Sequence, residues 1–197
     1  GYITFPLGEI VNKLKITNFE GVYEPAEDSY LFINHIPDIE GNILEIGCGT
    51  GIIGINLALR GNNVTAVDIN PLAVEATIFN SKINKVDLEI FEGDMFSSVQ
   101  NRKFNTIVCN PPYLPSLEED YNDSNLALAV EGGPTGSEFT LRLLKEASDY
   151  LEQDGSLYLI LSSKMKELKV KWDQKLIHEE KYFFERLSLV RFRIFSF

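Results

Sequence analysis

The tetrapeptide Asn110-Pro111-Pro112-Tyr113 directly follows the apolar run Phe104 to Cys109. Two consecutive prolines fix φ and remove both amide donors, so this turn is rigid. The carbonyls of Asn110 and Pro111 remain free, and the Asn110 side chain adds a further oxygen. Tyr113 supplies an aromatic wall beside them, and Pro112 shapes the turn. Such an acceptor pair suits a planar NH₂ group. An amide nitrogen is a poor nucleophile because its lone pair is delocalised into the carbonyl. Two acceptors holding both hydrogens shift density back to nitrogen and aim it at an electrophile. Orientation of this kind is worth ~7–11 kcal/mol in favourable cases. If the electrophile is a sulfonium methyl, positive charge is lost from sulfur in the transfer, and the nitrogen sheds its proton afterwards. That chemistry needs neither histidine nor metal. The bland reading of the same four residues is a rigid turn that closes a strand.

A second cluster precedes it. Glu45-Ile46-Gly47-Cys48-Gly49-Thr50-Gly51 lies at a strand-to-helix junction, where glycines let the backbone turn sharply and approach a ligand. The spacing is GxGxG, and Ile52 stands where a dinucleotide fingerprint needs glycine. The acid at the strand end, Glu45, repels phosphate but can pair with the ammonium of a methionine moiety. Asp68, ending the next strand, is placed to accept both ribose hydroxyls of the same ligand. Asp94, in Gly93-Asp94-Met95-Phe96, is placed to accept an adenine amino group, with Met95 offering its amide and an apolar face. Taken singly, Asp68 could be a helix cap for Pro71 and Asp94 a turn residue. Three acids at successive strand ends, where ligands bind in open α/β sheets, point instead to one site. Cys48 reads as a small loop packer rather than a nucleophile.

The elements that must hold these residues follow from periodicity. Strands are expected over Ile43 to Ile46, Asn63 to Asp68, Leu88 to Phe91, Phe104 to Cys109 and Ser156 to Leu161. Helices are expected over Ile52 to Arg60, Pro71 to Asn84, Gly136 to Leu151 and Lys164 to Leu176. The tail reads as two successive strands, Glu179 to Phe184 and Ser188 to Phe197. Strand–helix alternation implies right-handed crossovers and a parallel sheet covered on both faces. The closing strand pair adds an antiparallel element at one edge. Ahead of the first strand, residues 1 to 40 form a leader containing Tyr23-Glu24-Pro25-Ala26-Glu27-Asp28-Ser29-Tyr30-Leu31. Proline and acids in a first turn favour a helix from Pro25 to about Asn34, set over the cleft as a lid.

Bulk properties narrow the class. With 197 residues, 44% of them hydrophobic, the chain suits one domain spanning residues 1–197, with the core over 41–197. The net charge of −11 repels phosphate backbones, so a basic protein or a small molecule fits better than nucleic acid. No apolar run approaches the ~20 residues that span a bilayer. No secretory signal is evident, so a cytoplasmic location is expected. Cys48 and Cys109 are the only cysteines, and His35 and His178 the only histidines; none sits in a metal-binding motif. No metal is therefore expected.

The chain resembles HemK/PrmC-type protein-glutamine methyltransferases, and more narrowly the archaeal and eukaryotic subgroup that modifies class-1 translation release factors. The resemblance rests on Tyr23 to Leu31, Glu45 to Gly51, Asp68 to Pro71, Asp94, Asn110 to Tyr113, Gly132 to Gly136 and the terminal strand pair. Amino-methylating enzymes of adenine or guanine share the Asn-Pro-Pro-Tyr element, whereas the Tyr-Glu-Pro-Ala-Glu-Asp-Ser leader is far more specific. The resemblance implies a Rossmann-like class I fold dependent on S-adenosylmethionine, with a mostly parallel seven-stranded sheet and a C-terminal antiparallel strand. It implies methylation of the glutamine nitrogen in a Gly-Gly-Gln loop. Ser29, Glu45, Gly47, Gly49, Asp68, Asp94, Met95 and Asn110 would contact the cofactor, while Asn110 and Pro111 would hold the glutamine amide. Ser29 stands where the subgroup typically has threonine, and keeps the hydroxyl. Pro134 is a local variation in the loop Glu131 to Gly136. The extra N-terminal helical domain of bacterial relatives is not evident. A small zinc-binding activator subunit is implied as a partner. The alternatives are an amino-group methyltransferase acting on adenine or guanine, and a silent methyltransferase-like subunit, for which intact Glu45, Asp68, Asp94 and Asn110 serve no purpose.

Overall fold

Short apolar runs that alternate sides, interleaved with amphipathic stretches, fold into a seven-stranded sheet of order β3-β2-β1-β4-β5-β7-β6. The computed structural model describes residues 13–112 and 136–194. Tyr113, the segment Glu131 to Thr135 and the last three residues therefore lie outside the described residues. The strands are β1 Asn42–Ile46, β2 Asn63–Asp68, β3 Glu89–Glu92, β4 Phe104–Cys109, β5 Leu151–Ser162, β6 Trp172–Lys181 and β7 Arg186–Ile194. The helices are α1 Glu27–His35, α2 Ile52–Leu59, α3 Pro71–Ile83 and α4 Glu138–Ala147. Strands β1 to β5 pair in parallel, and β7 runs antiparallel to both β5 and β6. The mostly parallel sheet with one antiparallel strand is the expected architecture.

Alternation along each strand feeds two cores. Leu44, Ile46, Ile107, Leu157 and Leu159 pack with Leu143, Leu144 and Ala147 of α4 on one face. Ile43, Val108, Tyr158 and Ile160 pack on the other face with Ile53 and Leu57 of α2 and Leu31, Phe32 and Ile33 of α1. Helix α1 is therefore embedded in the core, with Phe32 and Ile33 fully buried. Only its N-terminal turn reaches the cleft.

One expected element is wrong. Lys164 to Leu176 is not a helix: a turn at 163–165 leads into an extended segment, and Trp172 already begins β6. The cause is a period of two. Leu168, Val170 and Trp172 alternate with exposed residues and pack against the α4-side core, whereas a helix would scatter them around its axis. The abundance of lysine suggested helix propensity, and tertiary burial overrode it. A smaller shift concerns β5, which starts at Leu151 instead of Ser156. Asp154-Gly155 reads as a turn but is accommodated inside the strand, with Asp154 at φ +63° and a register shift against β4. Helix α4 is correspondingly shorter than expected and gives way to a single 3₁₀ turn, Ser148–Tyr150. Phe183 and Phe184 sit at the β6–β7 turn rather than in a strand.

Candidate active site

The carboxyl ends of β1, β2 and β4, the residues after β3, and the start of α1 enclose one cleft. Its floor is the glycine turn. Gly47, Gly49 and Gly51 all have positive φ, at +77°, +55° and +90°. The amides of Gly47 and Cys48 donate to the carbonyl of Val67, which fastens the turn to the end of β2. From α3, Thr77 Oγ1 donates to the Gly49 carbonyl at 3.0 Å and Asn80 Nδ2 to the Thr50 carbonyl at 2.8 Å. A Cβ on Gly47 or Gly49 would meet nothing within 4 Å. The space above those two residues is open to a ligand, which is what a cofactor cradle requires.

The acids divide into three situations. Glu45 is 1% exposed, and its Oε1 accepts the amide of Gly54 in the first turn of α2 at 3.1 Å. Burial pushes its carboxyl well above the ordinary range, and the neighbouring Asp68 adds to the rise. Asp68 Oδ2 accepts from Gly49 N at 3.0 Å and Oδ1 from Asn70 N at 2.9 Å. Burial raises its pKa as well, and these amides oppose the rise. The cap of α3 is Asn70, whose Oδ1 accepts from Leu72 N, so Asp68 is left facing the cleft. Two carboxyls, one buried and one half-buried, with raised pKa values and no cation beside them among the described residues favour a cationic ligand, such as one carrying an ammonium and a sulfonium. Asp94 also lines the cleft but is half-exposed, and Arg142 of α4 grips both its oxygens at 2.8 and 2.9 Å. Met95 beside it is buried and held at φ +52°, a left-handed conformation that is costly for a side chain of this size.

At the opposite wall, Ser29, Asn110 and Pro112 face the same space, with Pro111 buried behind them. Asn110 Nδ2 donates to Asp28 Oδ2 at 3.0 Å. Asp28 is 3% exposed and accepts further from Tyr23 Oη at 3.0 and 3.1 Å and from Ser29 N at 2.8 Å. Asn110 Oδ1 is buried and has no hydrogen-bond partner among the described residues. A buried carbonyl oxygen left unpaired costs on the order of 1–3 kcal/mol, and a ligand N–H in the cleft would satisfy it. Cys48 and Cys109 are buried with thiol pKa values pushed up by desolvation, so neither is a nucleophile. Both histidines lie outside the cleft.

Ser29, Glu45, Gly47, Gly49, Asp68, Asp94, Met95, Asn110 and Pro112 thus converge on one cleft, although they span five segments of sequence. Tyr113 lies outside the described residues. Sequence reasoning gave no role to Asp28, Tyr23 and Arg142. Asp28 and Tyr23 sit in the leader motif, and the signal lies in their types: an acid and a phenol five residues apart, close enough to pair with each other. Arg142 carries no such signal, because nothing local separates it from an ordinary helix-surface arginine.

Residues 13–127 match the methyltransferase small domain family. A Methanocaldococcus jannaschii protein with the provisional name protein N5-glutamine methyltransferase is 41% identical over 155 residues, covering 78% of each chain. Ribosomal RNA small subunit methyltransferase C of Aeromonas hydrophila is 32% identical over 156 residues. That alignment takes in 77% of the present chain but only 41% of the longer Aeromonas protein. Among solved structures, the E. cuniculi Mtq2–Trm112 complex, described as responsible for methylating the eRF1 translation termination factor, superposes with a TM-score of 0.66. It is 22% identical, over 88% of this chain and 99% of that one, a likeness of fold.

Proposed function

We propose that this chain, which belongs to the methyltransferase small domain family and within it to the HemK-type S-adenosylmethionine-dependent methyltransferases, methylates the side-chain nitrogen of a glutamine in a protein. The substrate we assign is the glutamine of a Gly-Gly-Gln loop in a class-1 translation release factor, which places the reaction in the cytoplasm. The observation that carries the reading is the Oδ1 of Asn110, buried in the wall of the cleft with no hydrogen-bond partner among the described residues. It is an acceptor waiting for one hydrogen of a planar NH₂ group.

The residues fit the donor molecule. Open space over Gly47 and Gly49 gives the approach, Glu45 would take the ammonium, Asp68 the ribose hydroxyls, and Asp94 with Met95 the adenine. When bound, S-adenosylmethionine supplies a methyl group activated by the charge on sulfur. The chain's own work is orientation. Asp28 fixes the Asn110 amide, Asn110 Oδ1 and the Pro111 carbonyl receive the two hydrogens of the substrate nitrogen, and Ser29 and Pro112 close the wall. With both hydrogens held, the nitrogen lone pair is turned toward the methyl group. No strong acid is needed, because positive charge leaves the cleft's donor side as the bond forms.

A small zinc-binding activator subunit is proposed as a partner. Its support is the fold's likeness to a chain solved with a second subunit, together with Ile69, Ile78 and Phe79, large apolar side chains left exposed. The competing reading, amino-group methylation of adenine or guanine, draws on the Aeromonas relative. Incubating the chain with S-adenosylmethionine and either a release factor or ribosomal RNA, with and without an activator subunit, separates the two by mass spectrometry. One methyl group on the Gly-Gly-Gln glutamine is expected. Transfer to RNA with none to the release factor would overturn the assignment.

A further inference from the structure

The chain's two histidines meet in space, away from the cleft. His35 ends α1 and His178 lies on β6; their rings stack with centroids 3.5 Å apart and planes 8° from parallel. Both Nε2 atoms face the same carboxylate oxygen. Glu180 Oε1 is 3.1 Å from His178 and 3.6 Å from His35. The first distance is a hydrogen bond and the second is too long for one, so the carboxylate serves only one of the two rings. The other oxygen, Oε2, accepts from Tyr182 Oη at 2.6 Å. His178 and Glu180 share one face of β6 through the strand period of two. The register against β7 slips between Leu176 and His178, a local irregularity of the kind that re-aims side chains.

We propose that His35, His178 and Glu180 bind one divalent transition-metal ion of the zinc class, through two imidazole nitrogens and one carboxylate oxygen, with water completing the shell.

Spacing supports this. Ligands held ~2.0–2.2 Å from a tetrahedral ion lie roughly 3.3–3.6 Å from one another. The two N···O separations, 3.1 and 3.6 Å, bracket that edge, and the three ligand atoms lie within 4.8 Å of one another. Occupation requires each ring to tilt toward the ion, since an imidazole binds metal in its own plane. The positions allow this, because the histidine side chains are each 34% exposed and Glu180 is 40% exposed. The same exposure provides an entry path. Two nitrogens with one oxygen favour zinc-like ions over magnesium or calcium, which prefer all-oxygen shells. Tyr182 would orient the carboxylate from outside the metal's own ligands. A metal here would tie the last turn of α1 to β6, and α1 begins with the Asp28 and Ser29 of the cleft wall.

The test uses the full chain alone, without affinity tag or partner subunit, stripped by chelator and titrated with zinc chloride in a calorimeter near neutral pH. One ion per chain is expected. Cobalt(II) chloride in its place should give visible absorption bands of a four-coordinate site. His35→Gln and His178→Gln should each weaken zinc uptake by about tenfold or more, since even outer partners of a ligand account for 10–100-fold. Circular dichroism and S-adenosylmethionine binding show whether each variant is folded, and His35, at a helix end, answers the question should His178→Gln misfold. Absence of saturable uptake, or uptake unchanged in both folded variants, overturns the proposal.

Discussion

Asp28 Oδ2 accepts a hydrogen bond from Asn110 Nδ2 at 3.0 Å, joining residues 82 positions apart. A carboxylate can only accept, so this contact decides which end of the Asn110 amide faces inward and which faces the cleft. With Nδ2 committed to Asp28, Oδ1 must be the group presented to substrate.

Replacing Asn110 by alanine should therefore abolish methyl transfer while cofactor binding largely survives. Equilibrium binding of S-adenosylmethionine beside a single-turnover assay checks both halves. Retained transfer would remove Asn110 from the role given to it.

Asp28→Asn, nearly isosteric, substitutes a group that can also donate and so frees the Asn110 amide to turn. A fall in kcat of about 100-fold is expected, the scale of a small misplacement of a catalytic group. The KM for S-adenosylmethionine should change little, and Asp28→Glu should restore part of the rate. A variant that loses only stability, with kcat intact in its folded fraction, would make Asp28 merely structural.

Gly49 and Gly51 should respond differently to alanine. At Gly51 the new Cβ would lie 2.9 Å from Ile55 Cδ1 and 3.0 Å from Thr77 Cγ2, at φ +90°. Strain and overpacking together should cost about 1–3 kcal/mol in denaturant unfolding. At Gly49 the Cβ meets nothing, so the left-handed backbone alone costs ~1–2 kcal/mol. The methyl there projects into the cleft, so cofactor affinity should fall well beyond what the stability change explains.

Glu45 and Asp68 make the ligand-free chain pH-dependent. Both carboxyls have folded pKa values raised by burial, so the folded state keeps its protons longer than the unfolded one. Stability from these groups is present at acid pH and declines as pH rises from the unfolded carboxylate value, ~4, through the raised folded values. A cationic ligand favours the ionised forms, so S-adenosylmethionine binding should release protons and tighten with pH over that window. Calorimetry in buffers of different ionisation heat reads the release directly, and proton uptake in its place would refute the assignment.

Arg142→Ala removes a bidentate grip on Asp94. Both partners are about half exposed, so stability should change by no more than ~1 kcal/mol. Cofactor affinity should weaken, though less than in Asp94→Ala, because Arg142 acts by aiming the carboxylate.

The sequence alone determined the chemistry and the frame. Glu45, Asp68 and Asn110 each follow a short apolar run, and a strand's end is where a parallel sheet opens to ligands, so local pattern sufficed to place them. The strands Asn63–Asp68 and Phe104–Cys109 were legible to the residue, since buried parallel strands are nearly continuous apolar runs bounded by polar breaks. Lys164 to Trp172 was not, because lysine-rich composition is silent about which side chains find a core, and only the packing of Leu168, Val170 and Trp172 settled it. The same limit applies to the contacts that turn a cleft into a site. Asp28 against Asn110, Arg142 against Asp94, and His35 against His178 and Glu180 all join groups far apart in the chain. Periodicity reports which face a residue occupies, and only the folded sheet decides what stands opposite it.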